Sequence, residues 1–185
     1  RSCRLLRQGS VVNDVAVYSP LANQWTKSVL NARKWTREFD FGALGQLLKS
    51  NGYGFDLVND DVLQHRAVLE GDRIHLGEMT YRVLILPDIE ALPLESYQQV
   101  EAFVRGGGRV IALERVPDVS TGMQACEQKD MAVKKISVEL FRQPQGSNDS
   151  GEKEYGDGKS FCMEMVMRRE DQLDWRSAPL DPFLK

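Results

Sequence analysis

At 185 residues and 21.0 kDa, the chain is the size of one α/β domain and long enough to bury a substantial core. A net charge of -3 and a pI near 5.5 carry no electrostatic footprint for nucleic acid, and no apolar run approaches the roughly 18 residues of a membrane-spanning helix. The three cysteines, Cys3, Cys126 and Cys162, lie far apart without CxxC spacing, so neither a zinc site nor a redox pair is expected.

The opening Arg1-Ser-Cys-Arg-Leu-Leu-Arg-Gln-Gly is too short and polar for a signal peptide. The first residue is not Met, and the chain is read as a fragment of a longer polypeptide. Residues 1–10 read as the end of a preceding domain, with a helix over Ser2–Gln8 stopped by Gly9. A first strand follows at Val15–Tyr18, closed by Pro20. Leu21–Glu38 is then a long connection containing Trp25 and Trp35. Phe41, Leu44, Leu47 and Leu48 share one face of a helix over Phe39–Ser50, with Asp40 near its N-cap and Asn51-Gly52 as its stop. Phe55–Val58 is a second strand, and Asp60-Asp61 can cap a short helix through His65.

Arg73–Leu76 alternates, Gly77-Glu78 turns, and Met79–Arg82 runs back, which predicts a hairpin beside the next strand. That strand, Val83–Leu86, is a continuous apolar run of the kind buried on both faces of a parallel sheet. Leu94–Arg105 is an amphipathic helix ended by Gly106-Gly107-Gly108, and Val110–Leu113 is the next buried strand. Val116–Gln128 reads as loop, and Asp130 as the cap of a helix reaching Phe141. Residues 143–158, rich in Gly, Ser, Asn and Glu, read as a flexible loop. Lys159–Met167 alternates as a last strand, and Asp171–Trp175 starts a helix limited by Pro179 and Pro182. No internal repeat is present.

Strands alternating with helices predict a single α/β domain over residues 1–185, a three-layer sandwich with a mainly parallel sheet. Five core strands suit the flavodoxin-like order 2-1-3-4-5, whose ligands bind outside the carboxyl ends of the strands. The segments after Tyr18, Leu86 and Glu114 therefore form the expected functional edge.

The chemistry expected at that edge is sparse. A glutaminase needs a Cys thiolate on a strand-to-helix elbow, activated by a His and an acid. The elbow after Leu86 is Pro87-Asp88, and Cys126 falls in a predicted loop. A glycosidase needs two carboxylates across the scissile bond. Asp88 and Glu90 sit at the right edge, but adjacent in one loop, where a solvated surface is the plainer reading. Phosphate or flavin binding needs a glycine-rich turn after the first strand. Ser19–Thr26 has no glycine, and Gly106–Gly108 lies on the opposite edge. An aspartyl-phosphate receiver would want acids at the end of the first strand, whereas Asp14 is at its start. His65 and His75 stand on different elements, His75 as a hairpin residue, so no metal site is expected. Trp25 and Trp35 are candidate sugar-stacking rings, with packing of the long segment onto the domain or a neighbour as the alternative.

Several stretches together carry a resemblance. They are Leu5-Leu6-Arg7-Gln8-Gly9, Asp14–Pro20 with Trp25, Gly54–Asp61, Tyr81–Pro87, Leu92-Pro93-Leu94-Glu95 and Gly106–Ala112. In order and spacing they resemble the region after the catalytic barrel in glycoside hydrolases of the family 106 α-L-rhamnosidase type. The match is good from Arg1 to about Asp118. From Asp130 onward only a helix, Gly158-Lys159 and a strand fit. Related domains include the trimerisation domain of certain β-galactosidases, and both look like class I glutamine amidotransferase domains without the nucleophile.

The resemblance implies a non-catalytic accessory domain of a multidomain carbohydrate-active enzyme. Its partner would be the catalytic barrel of the same polypeptide, which holds the catalytic carboxylates, and carbohydrate or a homo-oligomer would be further partners. No catalytic residue, metal or cofactor is expected here. Trp25, Trp35 and Asp88 are the candidate substrate contacts. Localisation is left open, with a secreted or periplasmic parent as the expectation. The rival reading is a free-standing flavodoxin-like small-molecule-binding protein or enzyme.

Overall fold

The structure is a computed structural model that describes residues 12–21, 41–122, 124–142 and 151–163. The order of elements begins β1 (Val15–Tyr18), α1 (Phe41–Ser50), β2 (Phe55–Val58), α2 (Asp60–His65), β3 (Val68–Glu70), β4 (Arg73–Leu76) and β5 (Met79–Tyr81). It continues with β6 (Val83–Pro87), α3 (Leu94–Arg105), β7 (Arg109–Leu113), α4 (Cys126–Leu140), β8 (Lys153–Tyr155) and β9 (Gly158–Met163).

The main sheet has the order β2-β1-β6-β7-β9-β8. Its first five strands are parallel, in the expected 2-1-3-4-5 succession. The central strands are buried on both faces, and successive side chains of a strand point to opposite faces. Val15, Val17, Val83, Ile85, Ile111, Leu113, Phe161 and Met163 pack on one face with Leu44, Leu47 and Leu48 of α1. Ala16, Tyr18, Leu84, Leu86, Val110, Ala112 and Cys162 pack on the other, with α2, α3 and α4. Helices on both faces make this a three-layer α/β arrangement compatible with a flavodoxin-like sandwich.

Helix α3 ends as its sequence requires. Gly107, at φ 113, lies in the left-handed region, and the N–H groups of Gly107 and Gly108 return to the carbonyls of Val104 and Phe103. These two bonds are the Schellman closure.

Four features differ from the sequence reading. The hairpin does not extend the main sheet: β4 and β5 join β3, which was not anticipated, in a separate antiparallel sheet of order β3-β4-β5. Val68–Glu70 is short and half exposed, so it shows no buried run to read. The N-cap of α2 is Asn59, whose side chain accepts from the Val62 N–H, while Asp60 and Asp61 lie inside the first turn. Helix α4 begins at Cys126, so the predicted loop is shorter and Cys126 is an exposed helical residue. Asp130, expected to cap that helix, instead accepts the Ser120 N–H at 2.7 Å. Finally, Lys153–Tyr155 of the expected flexible loop is an antiparallel edge strand, joined to β9 by a two-residue Gly156-Asp157 turn. A Gly-X pair is a hairpin signal that bulk composition hides.

The readings at residues 1–10, at Asp40 and from Asp171 onward lie outside the described residues.

Candidate functional site

The carboxyl edge of the sheet is built from the ends of β1, β6, β7 and β9. Past Pro87 the chain turns at Asp88, whose φ of 26 is positive; past Leu113 it turns at Glu114, with φ 66. Positive φ is uncommon for residues other than glycine. The surrounding bonds impose it here. Asp88 N–H donates to the Leu113 carbonyl at 2.9 Å, and Glu114 N–H to the Met163 carbonyl at 2.8 Å. Each turn is thus hung on the end of the next strand.

Side chains then tie the two turns together. Arg115 donates from Nε to Asp88 Oδ1 at 2.6 Å and from Nη2 to Asp88 Oδ2 at 3.1 Å. Its Nη1 reaches Glu90 Oε2 at 3.3 Å. The planar guanidinium matches a carboxylate bidentately, which gives direction as well as charge. The Asp88 side chain is only 16% exposed, so it is not the solvated loop carboxylate that the sequence suggested. Behind the ion pair the loops zip along the backbone. Asp118 and Val119 donate to the Glu90 carbonyl, Leu92 donates to that of Val119, and Ala91 bridges Val119 in parallel.

A second polar cluster lies toward β1. Tyr18, the last residue of β1, donates to Asp60 Oδ1 at 2.6 Å. Ser96, in the first turn of α3, donates to the same oxygen at 2.6 Å, and Gln64 donates to Ser96 at 2.7 Å. Tyr18 and Ser96 are fully buried. Burial, followed by the Asp60 acceptor, pushes the Tyr18 hydroxyl above the ordinary tyrosine range. This cluster locks the N-terminal ends of α2 and α3 onto the end of β1.

The geometry limits what this edge can do chemically. Asp88 and Glu90 close on one cation instead of facing each other across a gap. No group of three or more His, Cys, Asp or Glu side chains is placed to hold a metal ion among the described residues. His75 sits in the small sheet opposite Thr80, with Nδ1 3.3 Å from Thr80 Oγ1. Cys162 is buried in β9. Of the candidate contacts, Asp88 stands at the predicted edge, while Trp25 and Trp35 lie outside the described residues. Leu21, which opens their segment, is exposed. The sequence reading missed Arg115, Tyr18, Asp60 and Ser96 as members of this edge. Arg115 had a usable signal: it stands two residues beyond a buried strand, where a charge must find a partner or water.

Among known proteins, the family model for glycoside hydrolase family 106, alpha-L-rhamnosidase, matches residues 1–174. The chain belongs to this family. No curated protein sequence matches it. Among solved structures, a rhamnosidase from Novosphingobium sp. PP1Y is similar over 100% of this chain, with a TM-score of 0.57 and 19% identity. Gan42B, a GH42 beta-galactosidase from G. stearothermophilus, is similar over 94% of the chain, with a TM-score of 0.55 and 14% identity. A catalytic-mutant form of Gan42B gives 0.56 and 13%. These likenesses are of fold. The family 106 chain spans 15% of the rhamnosidase and 30% of the beta-galactosidase, so it corresponds to one part of much longer polypeptides. No helix among its described residues is long and apolar enough to cross a membrane.

Proposed function

We propose that this family 106 chain is a non-catalytic accessory domain of a multidomain α-L-rhamnosidase-like glycoside hydrolase. It braces the catalytic barrel of the same polypeptide and contributes to substrate binding or oligomerisation. In this reading residues 1–185 form one unit, descended from a class I glutamine amidotransferase-like domain that has lost its nucleophile. The observation that carries it is at the elbow. Asp88 stands where a nucleophile would, at positive φ after the central strand, and its carboxylate is engaged by Arg115. Glu90, the other carboxylate at this edge, reaches the same guanidinium. A retaining or inverting pair needs separated carboxylates with a sugar between them.

The long segment carrying Trp25 and Trp35 leaves the same edge. Connections in compact α/β domains are usually about two to six residues, and long ones serve a function or a neighbour. Its two rings would meet the barrel or a sugar held beside it.

The test uses the full-length enzyme. Trp25→Ala and Trp35→Ala should raise KM for an aryl rhamnoside or loosen the packing of this domain on the barrel, with kcat retained. Asp88→Asn should leave kcat within about threefold of the parent, since a residue outside the chemistry does not stabilise the transition state. A collapse of kcat in Asp88→Asn, with its melting temperature unchanged, would place catalysis in this chain and end the proposal.

A further inference from the structure

The strongest unassigned chemistry lies at the end of α1. Asn51-Gly52 follows the helix directly, and the closure there is a full Schellman motif. Gly52, at φ 81, takes the left-handed position, and its N–H donates to the Lys49 carbonyl at 3.0 Å. The Tyr53 N–H donates to the Leu48 carbonyl at 2.9 Å, and Tyr53 packs against the cluster containing Leu48. Both backbone bonds and the apolar contact are those the motif specifies. A further bond lies outside the motif: Asn51 Nδ2 donates to the Leu47 carbonyl at 2.8 Å. Asn51 is exposed.

An asparagine followed by glycine is the pair most open to succinimide formation, because no side chain on the next residue hinders the attacking nitrogen. Hydroxide removes the Gly52 amide proton, and that nitrogen bonds to Asn51 Cγ. The Cγ–Nδ2 bond breaks, and Nδ2 leaves as ammonia. Water then opens the ring. Cleavage at Cγ–N yields aspartate; cleavage at the main-chain carbonyl yields isoaspartate. The net change consumes one water and releases one ammonia, without redox.

We propose that Asn51 is a deamidation site gated by the helix cap. In the closed cap the attacking N–H is committed to Lys49, and the side-chain amide is committed to Leu47. The reaction therefore requires the last turn of α1 to open. Conversion then weakens the cap. The product carboxylate has no proton to give the Leu47 carbonyl and faces the negative end of the helix dipole. Isoaspartate also adds a methylene to the main chain, which displaces Gly52 and Tyr53 from the motif. Helix α1 supplies Leu44, Leu47 and Leu48 to one face of the sheet, so a damaged cap loosens that layer.

The experiment incubates the full-length polypeptide at mildly alkaline pH, with and without urea, and follows the Asn51 peptide by mass spectrometry and by enzymatic methylation of isoaspartate. Conversion should run roughly tenfold faster in urea, since opening the cap forfeits several hydrogen bonds. Asn51→Asp should lower the melting temperature at once. Asn51→Gln keeps an amide, closes a ring far more slowly, and should hold its melting temperature through an incubation in which the parent's falls. Equal rates with and without urea would overturn the gating. No conversion in urea would overturn the site, and an unchanged melting temperature in Asn51→Asp would overturn its consequence.

Discussion

Arg115 grips Asp88 with two nitrogens, Nε 2.6 Å from Oδ1 and Nη2 3.1 Å from Oδ2, and so binds the turn after β6 to the turn after β7. The pair links residues 27 apart in sequence at the edge where this fold type places ligands.

The first prediction separates this ion pair from the strain beneath it. Arg115 is half exposed, so Arg115→Ala should cost about 1 kcal/mol of unfolding free energy, the upper range for an accessible but bidentate pair. Asp88→Ala loses the same pair and keeps a side chain at positive φ. Asp88→Gly loses the pair but relieves the backbone, and should be more stable than Asp88→Ala by roughly 0.5–1 kcal/mol. Denaturant unfolding of the three variants gives the order; Asp88→Gly falling below Asp88→Ala would refute the strain argument.

The buried cluster should be costlier. Tyr18→Phe removes one of two hydroxyl donors from Asp60 Oδ1, at a cost of about 1–3 kcal/mol. Ser96→Ala removes the other and leaves the Gln64 amide without its serine partner. The two share an acceptor, so the double variant should depart from additivity by about 0.5 kcal/mol or more in a double-mutant cycle. Strict additivity would mean the cluster does not act as one unit.

The alkaline limb of the stability profile follows from tyrosine ionisation. The Tyr81 hydroxyl donates to Asp56 Oδ2 at 3.0 Å. Burial, helped by that carboxylate, pushes its pKa up to about 12. Burial also raises Tyr18 and Tyr97 above the ordinary range. An unfolded tyrosine releases its proton near pH 10, so between about 10 and 12 the unfolded chain holds fewer protons and stability falls with pH. The Tyr81 contribution is complete below pH 10 and gone above 12, of order 1–2 kcal/mol. In an absorbance titration Tyr18, Tyr81 and Tyr97 should ionise together with unfolding. Their ionisation in chain that remains folded by circular dichroism would contradict this.

Tyr155 is the surface counterpart. Its hydroxyl donates to Glu101 Oε1 at 2.6 Å and accepts from Arg105 Nη2 at 2.8 Å, pinning edge strand β8 to α3. Tyr155 is only half-buried and Arg105 is exposed, so Tyr155→Phe should cost less than about 1 kcal/mol, under Tyr18→Phe. Thermal melts of the two variants make the comparison.

Much of the architecture is legible in the sequence. Buried runs such as Val83–Leu86 and Val110–Leu113 need cover on both faces, and Leu94–Arg105 presents an apolar stripe to supply it. These local periodicities located five strands and the main helices; the 2-1-3-4-5 order was the one that five such strands suit, and the sheet has it. Elements without a periodic signal were not legible. Strand β8 is three polar or aromatic residues whose conformation comes from pairing with β9, and the N-cap of α4 is Ala125, which makes no side-chain cap bond.

By itself, then, the sequence determined the α/β class, the buried strands and the absence of a cysteine at the elbow, because each depends on residues close together in the chain. The partners at the carboxyl edge were decided by tertiary structure alone. Asp88 and Glu90 read as a solvated acidic pair until folding brought Arg115 against them, and Tyr18 read as a strand end until Asp60 and Ser96 met at its hydroxyl. Such contacts join residues 25 to 42 positions apart. A charge or hydroxyl has no periodicity that points to a partner at that distance, so only the packing of strand ends and helix starts selects it.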